Sequence, residues 1–412
     1  MAEEHLKVHI ALVGGQPYPI FLGIKEFRPD KVIMVCSDQR DADRIAGVAE
    51  IDASRREVVV VDPVNQKSVY EVIQDRIVSQ MSPDNEYSVN ITGGTKIWAI
   101  VLYDLLHGRN NVKLFYIDQN NNLYDLAAIN QTPSNLDFEM DDVFKLNGAK
   151  VQHYTSFSDY KDQDFSAIAA IEDIYKKNHI VLHKMTHPDR CKNREMVPHH
   201  YHPGPFDGCS LKFDDSETGD GHAELSFLVK NHDRHDYSLD APHLRDLLFF
   251  TGWFELKVAK MLSRWKSSHD IRLGVSFAYT SAPNKPITKN EIDIIMNTGN
   301  RLLFVECKTQ INNLTDIDKF NNAVKIFGGK GCLSLFVTLY SMQTNAIEKC
   351  KDSEVMYFSI EDTRKEFRHQ LTVYPNGAGR LDPNTLKEQT DEYVQQRLND
   401  LLDKGLKKSN KK

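Results

Sequence analysis

The chain has 412 residues, enough for two or three domains with sizeable cores. Its 51 Lys and Arg against 58 Asp and Glu give a net charge of -7, which argues against a surface that coats nucleic acid; any contact with a polyanion must come from local basic patches. No apolar run approaches the roughly 20 residues of a bilayer span, residues 1–7 are too charged to open a secretory signal, and six cysteines without a CxxC pair suit a reducing interior, so the expected setting is the cytoplasm, with no membrane.

Residues 1–145 alternate strand and helix patterns. Val8–Val13, Val32–Cys36, Val58–Val61, Tyr87–Ile91 and Val112–Ile117 are short β-branched or aromatic runs, with helical periods between them such as Val69, Val72, Ile73 and Val78. This predicts an α/β fold, a doubly wound Rossmann-like parallel sheet whose ligands bind at the carboxyl ends of the strands. Strand one runs into Gly14-Gly15-Gln16-Pro17, strand two into Ser37-Asp38-Gln39, and strand four into Thr92-Gly93-Gly94-Thr95-Lys96, which opens a helix over Ile97–His107. A Gly-Gly turn lets backbone N–H groups approach an anion, the helix N-terminus adds positive potential, and Thr95 and Lys96 add a hydroxyl and a charge. By composition it is a phosphate cradle; the plainer alternative is a turn into a helix capped by Thr92 or Thr95. It is neither GxGxxG nor GxxxxGK[ST], so a nicotinamide oxidoreductase and a P-loop NTPase both lose their main support.

Residues 146–240 read as a connector. Tyr160–Lys177 has a helical stripe through Phe165, Ile168, Ile171 and Tyr175, whereas Val197–Asp240, rich in Pro, Gly, His and Asp, reads as loop and irregular strand. His183, His187, Cys191, His199, His200, His202 and Cys209 raise structural zinc against the alternative of surface and packing histidines, but their spacing matches no known finger.

Residues 241–380 have the order α-β-β-β-α-β. A helix is expected over Leu244–Trp265, with Glu255 inside it and Lys257, Lys260 and Arg264 at helical spacing, placed to guide a phosphate backbone or to form a solvated face. A strand follows over Ile271–Tyr279, then a hairpin over Glu291–Gln310, a helix over Leu314–Phe327 stopped by Gly328-Gly329, and a strand over Leu333–Tyr340. Residues 381–412 read as a C-terminal helix and a basic tail, frayed beyond Asn399.

The hairpin carries the chemistry. With a turn symmetric about Thr298-Gly299, Glu291 lies opposite Glu306 and Asp293 opposite Phe304; period-2 alternation then puts Glu291, Asp293, Glu306 and Lys308 on one face and Ile292, Ile294, Met296, Leu303, Val305 and Cys307 on the other. Two diagonal carboxylates can share a hard divalent cation, Mg2+ or Mn2+, which would activate water, while the Lys308 ammonium steadies charge on a scissile phosphate. The alternative is a strand end with solvated charges.

The pattern Asp293…Glu306-Cys307-Lys308 resembles the PD-(D/E)xK nucleases, a restriction-endonuclease-like α/β fold, with Glu291-Ile292-Asp293 standing where the family writes its proline and aspartate. The resemblance implies that Asp293 and Glu306, with the backbone carbonyl of Cys307, hold the metal, that Lys308 is catalytic, and that Glu255 fills the place of a further acid on the first helix; an ordinary polar-face glutamate is its alternative. Gly252-Trp253-Phe254-Glu255 resembles the family's helix entry loosely, since Trp follows Gly directly here. The first sheet with its Thr-Gly-Gly-Thr-Lys turn resembles the CRISPR-associated Rossmann-fold (CARF) sensor. Together the two resemble the ancillary nucleases of type III CRISPR systems that are activated by cyclic oligoadenylate, usually cyclic tetra-adenylate. That likeness implies a homodimer around a two-fold ligand, with Thr92, Gly93, Gly94, Thr95 and Lys96 on phosphate and ribose and with Gly14, Gly15 and Gln16 closing over the ring. Ser37 and Asp38 stand beside them, Asp38 either accepting from ribose or adenine or capping its helix. DNA and RNA are the implied substrates, single strands favoured and duplex nicking possible. The competing readings are a restriction or repair nuclease that cuts without effector and a sensor that never cuts.

Overall fold

The computed structural model describes residues 5–134, 139–189, 191, 196–216, 220–228, 233–279, 291–329, 331–373 and 382–409. Its first unit alternates β1 (Lys7–Leu12), α1 (Pro17–Phe27), β2 (Lys31–Cys36), α2 (Gln39–Val48), β3 (Arg56–Val60), α3 (Gln66–Arg76), β4 (Glu86–Asn90), α4 (Lys96–Leu106) and β5 (Val112–Ile117). The five strands pair in parallel in the order β3-β2-β1-β4-β5, and an antiparallel hairpin, β6 (Asn122–Asp125) and β7 (Asn130–Pro133), extends the β5 edge. Because successive side chains alternate, Ile10 and Leu12 of β1 pack towards Val69, Ile73, Trp98 and Leu102, while Ala11 and Val13 pack towards Ile20, Phe21, Ala42 and Ile45. Both faces are therefore covered, as a parallel sheet requires. The strand order reverses between β1 and β4, and the two glycine turns stand at that switch point.

From there α5 (Met140–Leu146) belongs to both units. Leu146 enters the α1/α2 core, whereas Met140, Val143 and Phe144 pack against Phe277, Ile295 and Phe304 of the second large sheet. That sheet has the order β17-β16-β15-β14-β13-β8. Its members are β8 (Ala149–Ser156), β13 (Ile271–Tyr279), β14 (Ile292–Asn297), β15 (Leu302–Lys308), β16 (Leu333–Thr338) and β17 (Met356–Ser359), with β14 and β15 antiparallel and β15, β16 and β17 parallel. The connector expected over 146–240 thus supplies an edge strand, β8, to the downstream sheet.

Nor is 197–240 irregular. It holds an antiparallel sheet of β9 (His200–Tyr201), β10 (Ser210–Asp215), β11 (Gly221–Leu228) and β12 (Arg234–Ala241), whose inward residues Leu211, Phe213, Ala223, Leu225, Phe227 and Leu239 join the main core. α6 (Asp162–Thr186), kinked where Asn178 leaves helical geometry, packs across it. The helix expected over Leu244–Trp265 is two, α7 (Leu244–Leu248) and α8 (Gly252–Leu262), because Phe250 and Thr251 adopt positive φ between them. α9 (Thr315–Phe327), α10 (Thr344–Asp352) and α11 (Ile360–Val373) complete the unit. The tail is docked rather than frayed: α12 (Pro383–Ser409) buries Val394, Leu398 and Leu402, and Asp403 accepts from the Trp265 indole at 2.9 Å. Lys411 and Lys412 lie outside the described residues.

Candidate active site and effector loops

The hairpin turn is centred one residue later than the symmetric reading. Asn297 pairs with Leu302 and Ile294 with Val305, so Thr298 to Arg301 form a four-residue loop closed by the Thr298 N–H donating to the Arg301 carbonyl at 3.0 Å. The same register puts Asp293 opposite Glu306 rather than Phe304. A shift of two in register keeps parity, and so Asp293, Glu306 and Lys308 still share a face. Ile292 leaves its expected face. Gly274 sits on β13 with φ 58°, and across this break Leu273 and Ile294 join one core while Val275 and Ile292 join the other. The expected apolar face is also not alone, since Ile295, Leu302 and Phe304 are fully buried on the side that carries the charges further along.

Beyond the Ile294–Val305 pair the Cys307 N–H donates to Asp293 Oδ2 at 2.7 Å. A side chain thus takes the place of a main-chain partner there. Lys308 Nζ lies 2.7 Å from Glu306 Oε1, with Glu306 nearly buried and Lys308 open along part of its length. Glu255, buried in the first turn of α8, is close enough to act electrostatically on Glu306, Cys307 and Lys308. Burial and then the neighbouring Asp293 push the Glu306 carboxyl up to about 8, against the pull of Lys308. Burial opposes the charge on Lys308, but Asp293 and Glu306 outweigh it and hold the ammonium protonated. Three carboxylates facing one ammonium in a desolvated place leave negative charge that protons or a cation must balance. Asp293 and Glu306 with a backbone carbonyl fit Mg2+ or Mn2+, which take one or two carboxylates and keep several waters. Among the described residues no three His, Cys, Asp or Glu side chains form a metal cage. Glu291 is exposed just before β14, its Oε1 beside Gly274, and is not among the charges that shift Glu306.

At the other sheet the two glycine turns interlock. A side chain on Gly14 would strike the Gly94 backbone, one on Gly93 would strike the Leu12 carbonyl, and Gly94 has φ 69°. Thr95 caps α4, its Oγ1 accepting from the Trp98 N–H at 3.3 Å, and Thr92 Oγ1 accepts from the Ile117 N–H at 2.7 Å. Lys96, Gly15, Gln16 and Ser37 are exposed. Asp38 is the N-cap of α2, accepting from the Arg40 N–H at 2.9 Å and pairing with its guanidinium.

The basic row on α8 is not a free track. Lys257 is half-buried 2.5 Å from Glu172, Lys260 lies over the Phe165 ring, and the exposed Arg264 lies past the end of α8. His199 is bonded to Asp215, and His200 and His202 share Asp214, so these three are satisfied by carboxylates across β9 and β10. Two groups escaped the sequence reading. Tyr175, His179, Trp253 and Tyr340 form an aromatic cluster at the Lys308 end of β15, where the Tyr340 N–H donates to the Thr309 carbonyl; Tyr175, Trp253 and Tyr340 were legible only as members of their helices and strand, and nothing in the sequence joined them to one another or to His179. Asn300 and Arg301, at the hairpin turn, meet the loop between β5 and β6, a contact that nothing in the sequence announces.

The family model of the Card1 CARF domain matches residues 8–147. No curated protein matches the chain. The fold is similar to that of Can2 from Sulfobacillus thermosulfidooxidans in complex with cyclic tetra-adenylate, with TM-score 0.60 and 16% identity over 89% of this chain and 99% of that one. It is also similar to protein VC1899 from Vibrio cholerae, with TM-score 0.63 and 14% identity over 90% and 99%. A type III CRISPR defence DNA nuclease activated by cyclic oligoadenylate has TM-score 0.51 and 14% identity over 82% of this chain and 47% of that one. At such identities the likeness is one of fold.

Proposed function

We propose that this chain, whose N-terminal sheet is a CARF domain, reads a cyclic oligoadenylate, cyclic tetra-adenylate foremost, and answers with metal-dependent cleavage of DNA and RNA in type III CRISPR defence. The observation that carries the reading is the meeting of Asp293, Glu306 and Lys308 beside the buried Glu255, in the same chain as an interlocked pair of glycine turns at a sheet switch point. Can2, similar in fold over both sheets, was solved with cyclic tetra-adenylate.

Asp293 and Glu306, with the Cys307 carbonyl, would hold Mn2+ or Mg2+, which when bound supplies a water acidified from about 15.7 towards neutrality. The Cys307 amide fixes one oxygen of Asp293, so the carboxylate meets its ligand without reorganising. Lys308, kept charged by its acidic neighbours, orients the nucleophile or neutralises the scissile phosphate. Single strands are the favoured substrate and duplex nicking a slower outcome. The exposed Lys96, with Thr92 to Thr95, would hold phosphate and ribose while Gly14 to Gln16 close over the ring, and two copies of the chain around a two-fold ring would read it from either side. Residues 1–145 would then be the sensor and 241–380 the nuclease, with β8, α6 and the four-stranded sheet between them built into the nuclease body.

The test is cleavage of single- and double-stranded DNA and RNA with Mn2+ across a panel of cyclic oligoadenylates. Cutting that needs the effector and vanishes in Asp293→Ala supports the reading. Equal cutting without effector would point to a restriction or repair enzyme, and effector binding without any cutting to a pure sensor.

A further inference from the structure

We infer that Arg301 is a positioning residue: together with the sensor loop 118–122 it forms the joint through which an occupied sensor sets the placement of the Asp293–Glu306 pair. The inference rests on the reading above and adds to it the place where the two units are coupled.

The turn 298–301 joins the two strands that end in the carboxylates, and it is stiff. Thr298 Oγ1 donates to the Arg301 carbonyl at 3.0 Å, and the Gly299 N–H donates to Asn297 Oδ1 at 2.7 Å. At roughly 3.3 Å per residue, the five residues from Arg301 to Glu306 make a lever of about 17 Å. Its handle is held from the sensor side. Asn121 Nδ2 donates to the Asn300 carbonyl at 2.5 Å, and the Arg301 guanidinium donates to the Gln119 carbonyl at 3.0 Å and to the Asn120 side chain. Asp118 stiffens that loop by accepting from the Asn120 and Asn122 N–H groups at 2.8 and 2.9 Å. The loop follows β5, so it lies at the same sheet end as the glycine turns.

A cavity of about 260 Å³ makes the connection continuous. Gly15 and Gln16 line one part of it, and Asp118, Asn121, Asn300 and Arg301 another. Arg301 is only 3% exposed, so its planar fork cannot fall back on water when its acceptors move. Ligand closing over Gly15 and Gln16 therefore reshapes a wall shared with the handle of the hairpin. Such a joint transmits only if the effector prefers one arrangement of it, which is the thermodynamic condition for coupling.

The full chain carrying Asn121→Ala, Arg301→Lys or Arg301→Ala would be compared with the wild type for cyclic tetra-adenylate affinity, for cleavage with and without it, and for melting. The joint predicts effector affinity near that of the wild type, unchanged basal cutting in Asn121→Ala, and effector stimulation reduced by about tenfold in Asn121→Ala and Arg301→Ala, with Arg301→Lys between. Full stimulation in folded Asn121→Ala and Arg301→Lys would overturn it, as would stimulation that falls only in step with effector affinity. Hydrogen exchange at amides 302–308 separates the joint from the chemistry. Effector-dependent protection in the wild type that is lost in Asn121→Ala supports the joint even if no nucleic acid is cut, and protection unchanged by the substitution sinks it.

Discussion

The two large sheets bury their unusual ionisable groups in opposite senses. In the sensor the imidazole of His9 is fully buried beside Ser88, and burial lowers its pKa to about 3, so it is held neutral. In the second sheet burial and Asp293 raise Glu306 to about 8, so without a cation its carboxyl holds a proton. The first is a core group that burial keeps uncharged, with Nδ1 on Ser88; the second is a group whose surroundings ask for an ion. A perturbed group thus points to function only where like charges converge on it, as Asp293 and Glu255 do on Glu306. The glycine turns differ from both, since they present backbone and the exposed Lys96 rather than buried charge.

The sharpest way to break this contrast is at the carboxylates. Asp293→Ala, Glu306→Ala or Lys308→Ala should lower cleavage about a thousandfold or to background while effector binding survives, read by a nuclease assay beside a binding titration. Loss of both together would mean that these residues hold the fold rather than the chemistry. Lys96→Ala should do the reverse, raising the effector concentration needed by about tenfold and leaving saturated cutting near normal.

The opposite pKa shifts predict opposite pH responses. Glu306 is raised above its unfolded value of 4.5, so its contribution is present below 4.5 and is lost as pH rises towards about 8. Melting of metal-free protein should fall across that range, and Mn2+ or Glu306→Gln should flatten the slope. His9 is depressed below 6.5, so its contribution is present above 6.5 and is lost as pH falls towards about 3, at about 1.4 kcal/mol per pH unit. Ring resonances of His9 that already titrate near 6.5 in the folded protein would refute this. The smallest effect is expected at a helix cap that belongs to neither set of residues. Asn65 caps α3 by accepting from the Ser68 N–H, and Asn65→Ala should cost about 1 kcal/mol in denaturant unfolding without touching cleavage.

Legibility varied with the kind of pattern. The five parallel strands were readable as short β-branched or aromatic runs, and the central ones, β2, β1 and β4, are buried along nearly their whole length. The sheet of β9 to β12 was not, although Leu211 and Phe213, then Ala223, Leu225 and Phe227, do alternate; the His and Asp residues on the other positions read as loop, and they pair with one another across strands instead. Glu255 was placed on the right helix, but that helix breaks at Phe250 and Thr251, where two positive φ angles have no glycine to announce them.

What the residues determined unaided was that Asp293, Glu306 and Lys308 share a face, although Glu291 and Ile292 do not keep the places expected of them. Parity along a strand is a local property, and it survived a misplaced turn because the error was an even number. Opposition across strands, burial and charge coupling are not local. Whether Asp293 meets Glu306, whether Lys257 is a guide or the ion-pair partner of Glu172, and whether Arg301 serves the turn or the neighbouring loop depend on segments up to 182 residues away. Only the packed chain brings those segments together, because their contacts stabilise one arrangement of the whole rather than any stretch of it.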